Sequence, residues 1–379
     1  MKILAACSPG EALVAVVADD GALQDVALWR PGRPDGVGDV YRARVSAHVQ
    51  GLAGAFLTLP GADGFLPDSE GGAGAIEGAL LTVRITRAGQ GGKGPRLSAK
   101  LPQAEGAPGL VAPGLVAPGL VAPGLVARGP SPVERLAERF PDAAIVTDDP
   151  AVAAQLRPRL GDRVSFAGTV LDAGLADQIA ALDETEIALP GGLRASIHPT
   201  PALVAIDVDM AAATGARQPK QAAQLAANLA AMPALARQIR LRNLSGAILI
   251  DPAGISVKRR LLLRPALEAA LAADPMHPRL IGFTGLGLIE ILRPRIHPPW
   301  HELRAGPHAA GLAALRTLAR ESAAAPHTIY ALVAAPDLVA ALAHDPIALA
   351  DLARRTGRAL IPKPDPALPP GAWRIERAS

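Results

Sequence analysis

The stretch ALVAIDVD, residues 202–209, indicates the fold class of this chain together with AILID at 247–251. Each is a short apolar run of strand length, and such runs are typical of strands buried in a sheet. Between them the apolar residues have helical spacing, and we expect Pro233 to break or kink that helix. The alternation continues to a third strand, LIGFT at 280–284. The order strand, helix, strand, helix, strand predicts an α/β layer around a mainly buried sheet.

Aspartates stand at the ends of the two apolar strands. Asp207 ends the first and Asp251 the second, while Asp209 lies two residues beyond Asp207 and so on the same side of an extended strand. A carboxylate there is costly unless it is paired or binds a cation, and Mg²⁺ takes one or two carboxylates plus waters and substrate phosphate. We therefore expect the three carboxylates in one cleft. The alternative is that each aspartate only caps the helix or turn that follows it.

Basic residues are concentrated around the second strand. From residue 217 to 264 the chain has nine Lys or Arg and a single acid, Asp251, a balance that suits a phosphate-bearing partner. Arg237, Arg240 and Arg242 directly precede the strand, and the first two share a helix face. These arginines are candidates for clamping phosphate, and the alternative is a solvated surface helix.

Residues 37–100 form a second kind of structure. Alternating apolar and polar residues in VGDVYRARVSAHV and LLTVRITRA, with glycines between the runs, predict short strands of a small closed β-barrel. Phe56 and Phe65 fall within this stretch. Exposed aromatics of such barrels stack bases, and the alternative is that these rings fill the barrel core. Lys93 and Arg96 follow in GGKGPRLS and are candidates for contacting a backbone phosphate.

A five-residue repeat separates the barrel from the rest of the chain. Residues 106–127 read GAPGL VAPGL VAPGL VAPGL VA, and each proline is followed by glycine. Since proline removes a backbone donor and glycine disfavours helix, we expect a disordered or loosely extended linker here. Residues 1–36 predict short strands, and residues 131–189 and 301–379 predict mixtures of helix and strand.

Composition excludes several classes of protein. The net charge is +3 and aromatic residues are 3% of the chain, so the cores must be packed mainly by aliphatic side chains. Cys7 is the only cysteine, which excludes an internal disulfide and a cysteine zinc site within one chain. The start MKILAACSPGEALV does not resemble a signal peptide, and no apolar run is long enough to predict a membrane span. We therefore expect a cytoplasmic protein without a membrane partner.

Several blocks, in order, resemble the ribonuclease E/G family. GDVYRARV, GAFLTLPGADGFLP and KGPRLSA look like its OB-type RNA-binding domain. LPGGLRASIHPTPALVAIDVD, NLAAMPALARQIRLRNLSGAILID and GLGLIEILRPRI look like its catalytic subdomain. The resemblance implies a hydrolase, an Mg²⁺-dependent endoribonuclease that cleaves single-stranded RNA in RNA processing or decay. It implies that Asp207 and Asp251 are the magnesium ligands. It also implies that Phe56, Phe65 and Lys93 contact RNA.

The resemblance also implies a domain order, an α/β fold with an inserted all-β barrel of the OB type. The expected divisions are 1–36 as N-terminal strands of a ribonuclease-H-like layer, 37–100 as the barrel, 101–130 as the Pro/Gly-rich linker, 131–189 as the remainder of the layer, 190–300 as a deoxyribonuclease-like catalytic subdomain, and 301–379 as a small C-terminal domain.

The chain departs from the family pattern at several positions. Pro201 stands where the family usually has Glu, Asp209 where it has Asn, and Gly254 where it has Asp. The two cysteines that link protomers through zinc are absent, so we expect no structural zinc, and a homo-oligomer would have to form without that link. The segment that senses a 5′-monophosphate has no match. These losses leave a second hypothesis open, a non-catalytic RNA-binding protein derived from the same family, against which the two retained aspartates argue.

Overall fold

The computed structural model describes residues 1–101, 123–210 and 220–377. The chain divides into two compact units, each with its own hydrophobic core. The first unit comprises residues 1–34, 132–294 and 299–379, and the second comprises residues 35–131 with 295–298.

The strands, in chain order, are β1 (Lys2–Ser8), β2 (Glu11–Val17), β3 (Leu23–Trp29), β4 (Val40–Val49), β5 (Gly54–Leu59), β6 (Ala62–Pro67), β7 (Leu80–Arg87), β8 (Arg96–Ser98), β9 (Gly124–Ala127), β10 (Ala144–Thr147), β11 (Val164–Phe166), β12 (Glu186–Leu189), β13 (Leu193–Pro199), β14 (Leu203–Met210), β15 (Gly246–Asp251), β16 (Arg279–Phe283), β17 (Ile289–Arg293), β18 (Tyr330–Ala334), β19 (Lys363–Pro364) and β20 (Trp373–Arg377). The helices are α1 (Pro132–Arg139), α2 (Pro150–Leu160), α3 (Ala173–Ala180), α4 (Lys220–Leu241), α5 (Val257–Arg260), α6 (Arg264–Leu271), α7 (Trp300–Arg304), α8 (Gly306–Ala324), α9 (Pro336–Ala343) and α10 (Pro346–Thr356).

The N-terminal sheet of the first unit has the strand order β11-β10-β1-β2-β3. β1 pairs in parallel with β10 and antiparallel with β2, so residues that follow the barrel in sequence complete a sheet begun before it. Apolar side chains on one face pack against α1 and α2, and those on the other face pack against α3 and the end of α4. Burial on both faces explains why β2 is an almost continuous apolar run, EALVAVV.

The central sheet of the same unit has the strand order β12-β13-β14-β15-β17-β16. β14 and β15 are parallel neighbours, and the other neighbouring pairs are antiparallel. One face packs on α4 and α6, whereas the other face of β13, β14 and β15 carries exposed or half-buried side chains. The sequence predicted a mainly buried sheet, and the structure buries only this one face. The small Ala205 and Ala247 on the open face hid the alternation of inward and outward residues.

Helix α4 continues through Pro233 without a break, which corrects the interruption expected there. Pro233 itself is exposed, while its neighbours Met232, Leu235 and Ile239 are fully buried. Tertiary packing of the apolar face therefore holds the helix together where proline removes one backbone hydrogen bond.

The C-terminal part of the first unit has the strand order β19-β18-β20, with α8, α9 and α10 contributing to its core. This agrees with the mixture of helices and strands that the sequence predicted for residues 301–379. Among the residues that the structure describes, none of the helices has the length and apolar character of a membrane span.

The second unit contains a β-barrel with the strand order β5-β6-β8-β7-β4, closed by pairing of β4 with β5. Side chains from these strands fill the interior, among them Val45, Leu57, Leu66 and Val83. The predicted combination of an α/β fold with a closed barrel is confirmed, and the OB type of the barrel stays a prediction.

The end of the proline–glycine repeat contributes an edge strand to this unit. β9 pairs antiparallel with the beginning of β4, so residues 124–127 are not the loose linker that the sequence predicted. This strand contains no proline, and an edge needs backbone donors on one side only. Residues 106–122 of the repeat lie outside the described residues.

Candidate active site

Two aspartates of the central sheet lie side by side. Asp207 on β14 is the register partner of Asp251, the last residue of β15. Because the two strands are parallel neighbours, the side chains leave the sheet on the same face, and the backbones are about 4.8 Å apart. The structure therefore brings together the two residues that the sequence singled out as metal ligands.

The strand alternation keeps Asp207 out of the hydrophobic core. Ile206 and Val208 on either side of it are buried among the side chains of α4, so Asp207 leaves the opposite face. Its pKa is raised above the ordinary value, first by desolvation and then by the negative charges of Asp209 and Asp251. A cation bound between the carboxylates would offset the part of this shift that comes from the neighbouring negative charges.

Asp209 lies at the edge of this pair. It is two residues further along β14, about 7 Å away along the strand. Its register partner is Arg194 on β13, whose guanidinium lies 4.0 Å from the Asp209 carboxylate. Over the described ranges, no group of three or more His, Cys, Asp or Glu side chains is placed to hold a metal ion. The prediction that the three carboxylates share one cleft stays a prediction, with Asp207 and Asp251 in register and Asp209 two residues along the same strand.

Arg260 is a residue of this site that the sequence reasoning missed. Its Nη1 lies 2.7 Å from Oδ1 of Asp251, and the same guanidinium donates to the carbonyls of Ile255 and Gly287. The side chain is only 14% exposed, so two loop backbones hold it against the carboxylate. The available signal was the basic run VKRR that ends at this residue.

Amide side chains of α4 hold the loop that follows Asp251. The buried Asn228 donates to the carbonyl of Ala253 and accepts from its amide. Gln221 donates to the carbonyl of Gly254. The backbone just beyond Asp251 is therefore anchored to the helix that packs under the sheet, which limits movement of the carboxylate.

Gly254 stands where the family pattern has aspartate, and the backbone conformation at this position suits glycine. Its φ is +59°, in the left-handed region that favours glycine. A Cβ at this position would lie 2.3 Å from Nε2 of Gln224. Any other residue there would be strained by the positive φ and would require the Gln224 side chain to shift.

The three arginines expected to clamp phosphate are used inside the first unit. Arg237 and Arg240 donate to backbone carbonyls of β3. Arg242 is buried and donates to two carbonyls in the segment between α3 and β12. The helix face that carries these arginines packs against neighbouring elements of the first unit. The prediction that the three arginines clamp phosphate is therefore corrected to a structural role.

Phe56 and Phe65 lie next to each other on the outer face of the barrel. They are register partners on β5 and β6, and their ring centroids are 5.4 Å apart with the planes inclined by 58°. The adjacent Leu57 and Leu66 point into the barrel, so strand alternation places both rings outside. The rings therefore do not fill the barrel core, which was the alternative interpretation.

Lys93 and Arg96 are both exposed, and Arg96 is the register partner of Phe65. Lys93 closes a tight turn with Gln90, in which each backbone amide donates to the carbonyl of the other residue. Gly91 and Gly92 have φ of +59° and +72°, the positive values that a two-residue hairpin turn requires. The glycine-rich segment is therefore a hairpin that presents its basic residues to solvent.

Two segments of the chain match the sequence models of known protein families. The sequence model of the Ribonuclease E/G family matches residues 146–296, which include Asp207, Asp251 and Arg260. A second model, described as GLTT repeat (6 copies), matches residues 106–132. The resemblance to the ribonuclease E/G family is therefore confirmed for the segment that contains the aspartate pair.

Individual relatives are similar to this chain over 108 to 125 residues. Ribonuclease E of Nostoc sp. is 36% identical over 108 residues, 28% of this chain and 16% of that protein. Ribonuclease G of Escherichia coli K12 is 36% identical over 114 residues, 30% of this chain and 23% of that protein. Ribonuclease E of the same strain is 33% identical over 125 residues, 33% of this chain and 12% of that protein. The chain thus spans less than a quarter of the length of these relatives.

Proposed function

We propose that this protein is an Mg²⁺-dependent endoribonuclease that cleaves single-stranded RNA in the cytoplasm, in RNA processing or decay. The observation that carries the proposal is the in-register pair Asp207 and Asp251 on the open face of the central sheet. This pair lies inside residues 146–296, which match the Ribonuclease E/G family. Relatives named ribonuclease E and ribonuclease G support the same class of reaction.

The carboxylate pair suits a magnesium ion. Mg²⁺ is held by oxygen ligands, usually one or two carboxylates with waters and substrate phosphate completing an octahedron. Asp207 and Asp251 offer two carboxylates from neighbouring strands. The pKa of Asp207 is raised by desolvation and then by repulsion from Asp209 and Asp251, and a cation would offset that repulsion. When bound, the ion would lower the pKa of a water and stabilise charge on the scissile phosphate. The expected products are a 3′-hydroxyl and a 5′-phosphate.

The neighbouring side chains have separate tasks in this proposal. Asp209, beside Arg194, would accept a hydrogen bond from the attacking water and so orient it. Arg260 would keep the Asp251 carboxylate in place, since its guanidinium is itself held by two backbone carbonyls. Holding reacting groups in the right geometry can lower the barrier of a well-oriented reaction by roughly 7–11 kcal/mol.

The barrel would hold the RNA. Phe56 and Phe65 offer ring faces to bases, and each stacked base contributes about 1–3 kcal/mol. Lys93 and Arg96 would contact the phosphate backbone of the same RNA strand. Stacking of this kind needs bases that have left a double helix, which favours single-stranded RNA as the substrate.

Zinc has no role in this proposal. Burial raises the pKa of Cys7 to about 12, so this residue is a thiol at neutral pH, whereas structural zinc binds thiolates. A homo-oligomer would therefore form without a cysteine zinc link.

A cleavage assay with the full-length chain tests the proposal. A short end-labelled single-stranded RNA is incubated with Mg²⁺ or with EDTA. The parent should cleave only with Mg²⁺, and Asp207→Asn and Asp251→Asn should not cleave, because each removes one of the two charged ligands. Asp209→Asn is the matched control: it removes the same charge from a neighbouring position but keeps an oxygen that can orient water. Cleavage at the parental rate by both ligand variants, or by the parent in EDTA, contradicts the metal assignment.

A non-catalytic RNA-binding protein is the second candidate. The loop after Asp251 favours it, because glycine stands where the family pattern has aspartate and its φ of +59° disfavours any other residue. The same assay separates the two candidates. RNA binding by the parent without any cleavage across a full Mg²⁺ titration would favour the second.

A further inference from the structure

Aromatic and basic residues form a row across the outer face of the barrel. Phe56 on β5 is the register partner of Phe65 on β6. Phe65 is in turn the partner of Arg96 on β8, and Arg96 is the partner of Arg87 on β7. Neighbouring strands are about 4.8 Å apart, so two rings and then two guanidinium groups follow each other within roughly 15 Å.

A β-bulge puts Arg87 into this row. Ile85 pairs with Leu97, both buried inside the barrel, and the next pair is Arg87 with Arg96 because Thr86 is an extra residue on β7. In a regular ladder Thr86 would pair with Arg96 and Arg87 would point inward. Bulges that redirect a side chain in this way are frequent at functional sites.

A third arginine reaches the same place from a distant part of the chain. The segment 295–298 belongs to the second unit, and the carbonyl of Ile296 accepts from the amide of Ala88 at 2.8 Å. This hydrogen bond sets Arg295 beside the end of β7. Arg96 and Arg295 both act electrostatically on Arg87, so the three charges lie close together.

Arg87 has no acid among the groups that act electrostatically on it in the described part of the chain, whereas Arg96 also acts on the carboxylate of Glu70. Burial lowers the pKa of Arg87, and the positive charges of Arg96 and Arg295 lower it further. No carboxylate among the described residues opposes these effects on Arg87. In the same described part of the chain, Nε of Arg87 is a buried donor without an acceptor. Clustered cations with unused donors are the chemistry that a phosphate satisfies.

We propose that Arg87, Arg96 and Arg295 form a binding site for one backbone phosphate of the RNA strand whose bases, under the proposed function, stack on Phe56 and Phe65. The planar guanidinium fork suits two oxygens of one phosphate. The row directs the strand across the barrel, from rings to arginines. The proposal rests on the proposed function only in naming RNA as the ligand. A free phosphate ion could bind the same arginines, but it has no base to stack on the rings.

Binding measured without catalysis tests this site. Fluorescence anisotropy follows a labelled uridine oligomer with the full-length chain in EDTA over a series of KCl concentrations. Arg87→Gln and Arg295→Gln should each weaken binding about tenfold or more, since each removes a charged hydrogen-bond donor. Each should also reduce the slope of log affinity against log salt by about 0.7 for every phosphate that the variant no longer neutralises.

Arg44 provides the matched control. It is an exposed arginine on β4 of the same barrel, and its guanidinium donates to the carbonyl of Gly78. Arg44→Gln removes the same charge and should leave the salt slope at the parental value. Arg87→Lys keeps the charge without the fork, so its affinity should lie between those of the parent and Arg87→Gln. Circular dichroism checks that each variant is folded, and Arg295→Gln tests the site independently of β7.

A competition arm distinguishes RNA from free phosphate. Inorganic phosphate at matched ionic strength should displace the oligomer no better than chloride does. Strong displacement from the parent but not from Arg87→Gln would assign the site to free phosphate and overturn the RNA assignment. Equal slopes for Arg87→Gln, Arg295→Gln and Arg44→Gln would overturn the site and leave the proposed nuclease intact. A parent that binds no oligomer would overturn the RNA substrate on which the proposed function depends.

Discussion

The Asp207→Asn variant should be more stable than the parent while it loses the proposed Mg²⁺-dependent cleavage. The pKa of Asp207 is raised by burial and by the neighbouring Asp209 and Asp251. Folding therefore brings this carboxylate close to negative charge that the unfolded chain keeps at a distance. Asparagine keeps the shape and an acceptor oxygen but carries no charge, so the repulsion disappears.

The size of the gain follows from the geometry. Two unit charges roughly 5 Å apart and surrounded by water repel by about 0.8 kcal/mol. Arg260 already offsets part of the charge on Asp251. We expect the free energy of unfolding to rise by about 0.5 kcal/mol without Mg²⁺, or about 1–2 °C in melting temperature. Mg²⁺ should raise the melting temperature of the parent only, because the ion binds a site that the variant does not have.

The gain should depend on pH in a defined direction. The pKa of Asp207 in the folded chain lies above its ordinary value of 3.8, so protonation of this group favours folding. The parent therefore recovers stability as the pH falls through the folded pKa, and its difference from the variant shrinks in acid. At neutral pH, where Asp207 is charged in both states, the difference is at its full size.

Thermal denaturation with EDTA or Mg²⁺, at neutral and acid pH, measures these effects. Asp162→Asn is the control, because Asp162 is an exposed acid in the turn after α2, and its melting temperature should match that of the parent. An Asp207→Asn variant that is less stable than the parent at neutral pH would contradict the proposed repulsion. Asp207 would then be a cap or turn residue whose charge supports the fold.

Three further variants test the barrel surface, the arginines of α4 and the loop after Asp251. Phe56→Ala combined with Phe65→Ala should weaken single-stranded RNA binding by about 1–3 kcal/mol for each stacked base with an unchanged salt slope, as measured by anisotropy; parental affinity in the folded double variant would give both rings a purely structural role. Arg242→Met should lower the free energy of unfolding in urea by about 1–3 kcal/mol, since it removes the hydrogen bonds that the buried Arg242 donates to the carbonyls of Ala181 and Glu184. Its RNA affinity should equal that of the parent, and a large decrease there would restore the phosphate clamp. Arg260→Gln should slow single-turnover cleavage about tenfold or more by releasing Asp251, and a parental rate would exclude this positioning role.

The sequence alone was sufficient to predict the class of fold and the two principal residues of the candidate site. Apolar runs ending in Asp207 and Asp251 predicted an α/β layer, and alternating short runs with glycines predicted the barrel. These predictions succeed because burial of apolar surface is periodic along the chain and can be read locally. The family resemblance was also local, since its motifs are contiguous blocks.

Which residues are neighbours, and which faces are covered, became known only from the three-dimensional structure. The spacing of Arg237, Arg240 and Arg242 is the same on a solvated helix and on one packed against β3, so the sequence could not distinguish an RNA contact from an internal one. Arg260 meets Asp251 through a loop, and Arg87 joins Phe65 and Arg96 through a bulge and two strand registers. Register and loop closure depend on contacts between residues far apart in sequence, which no local pattern specifies.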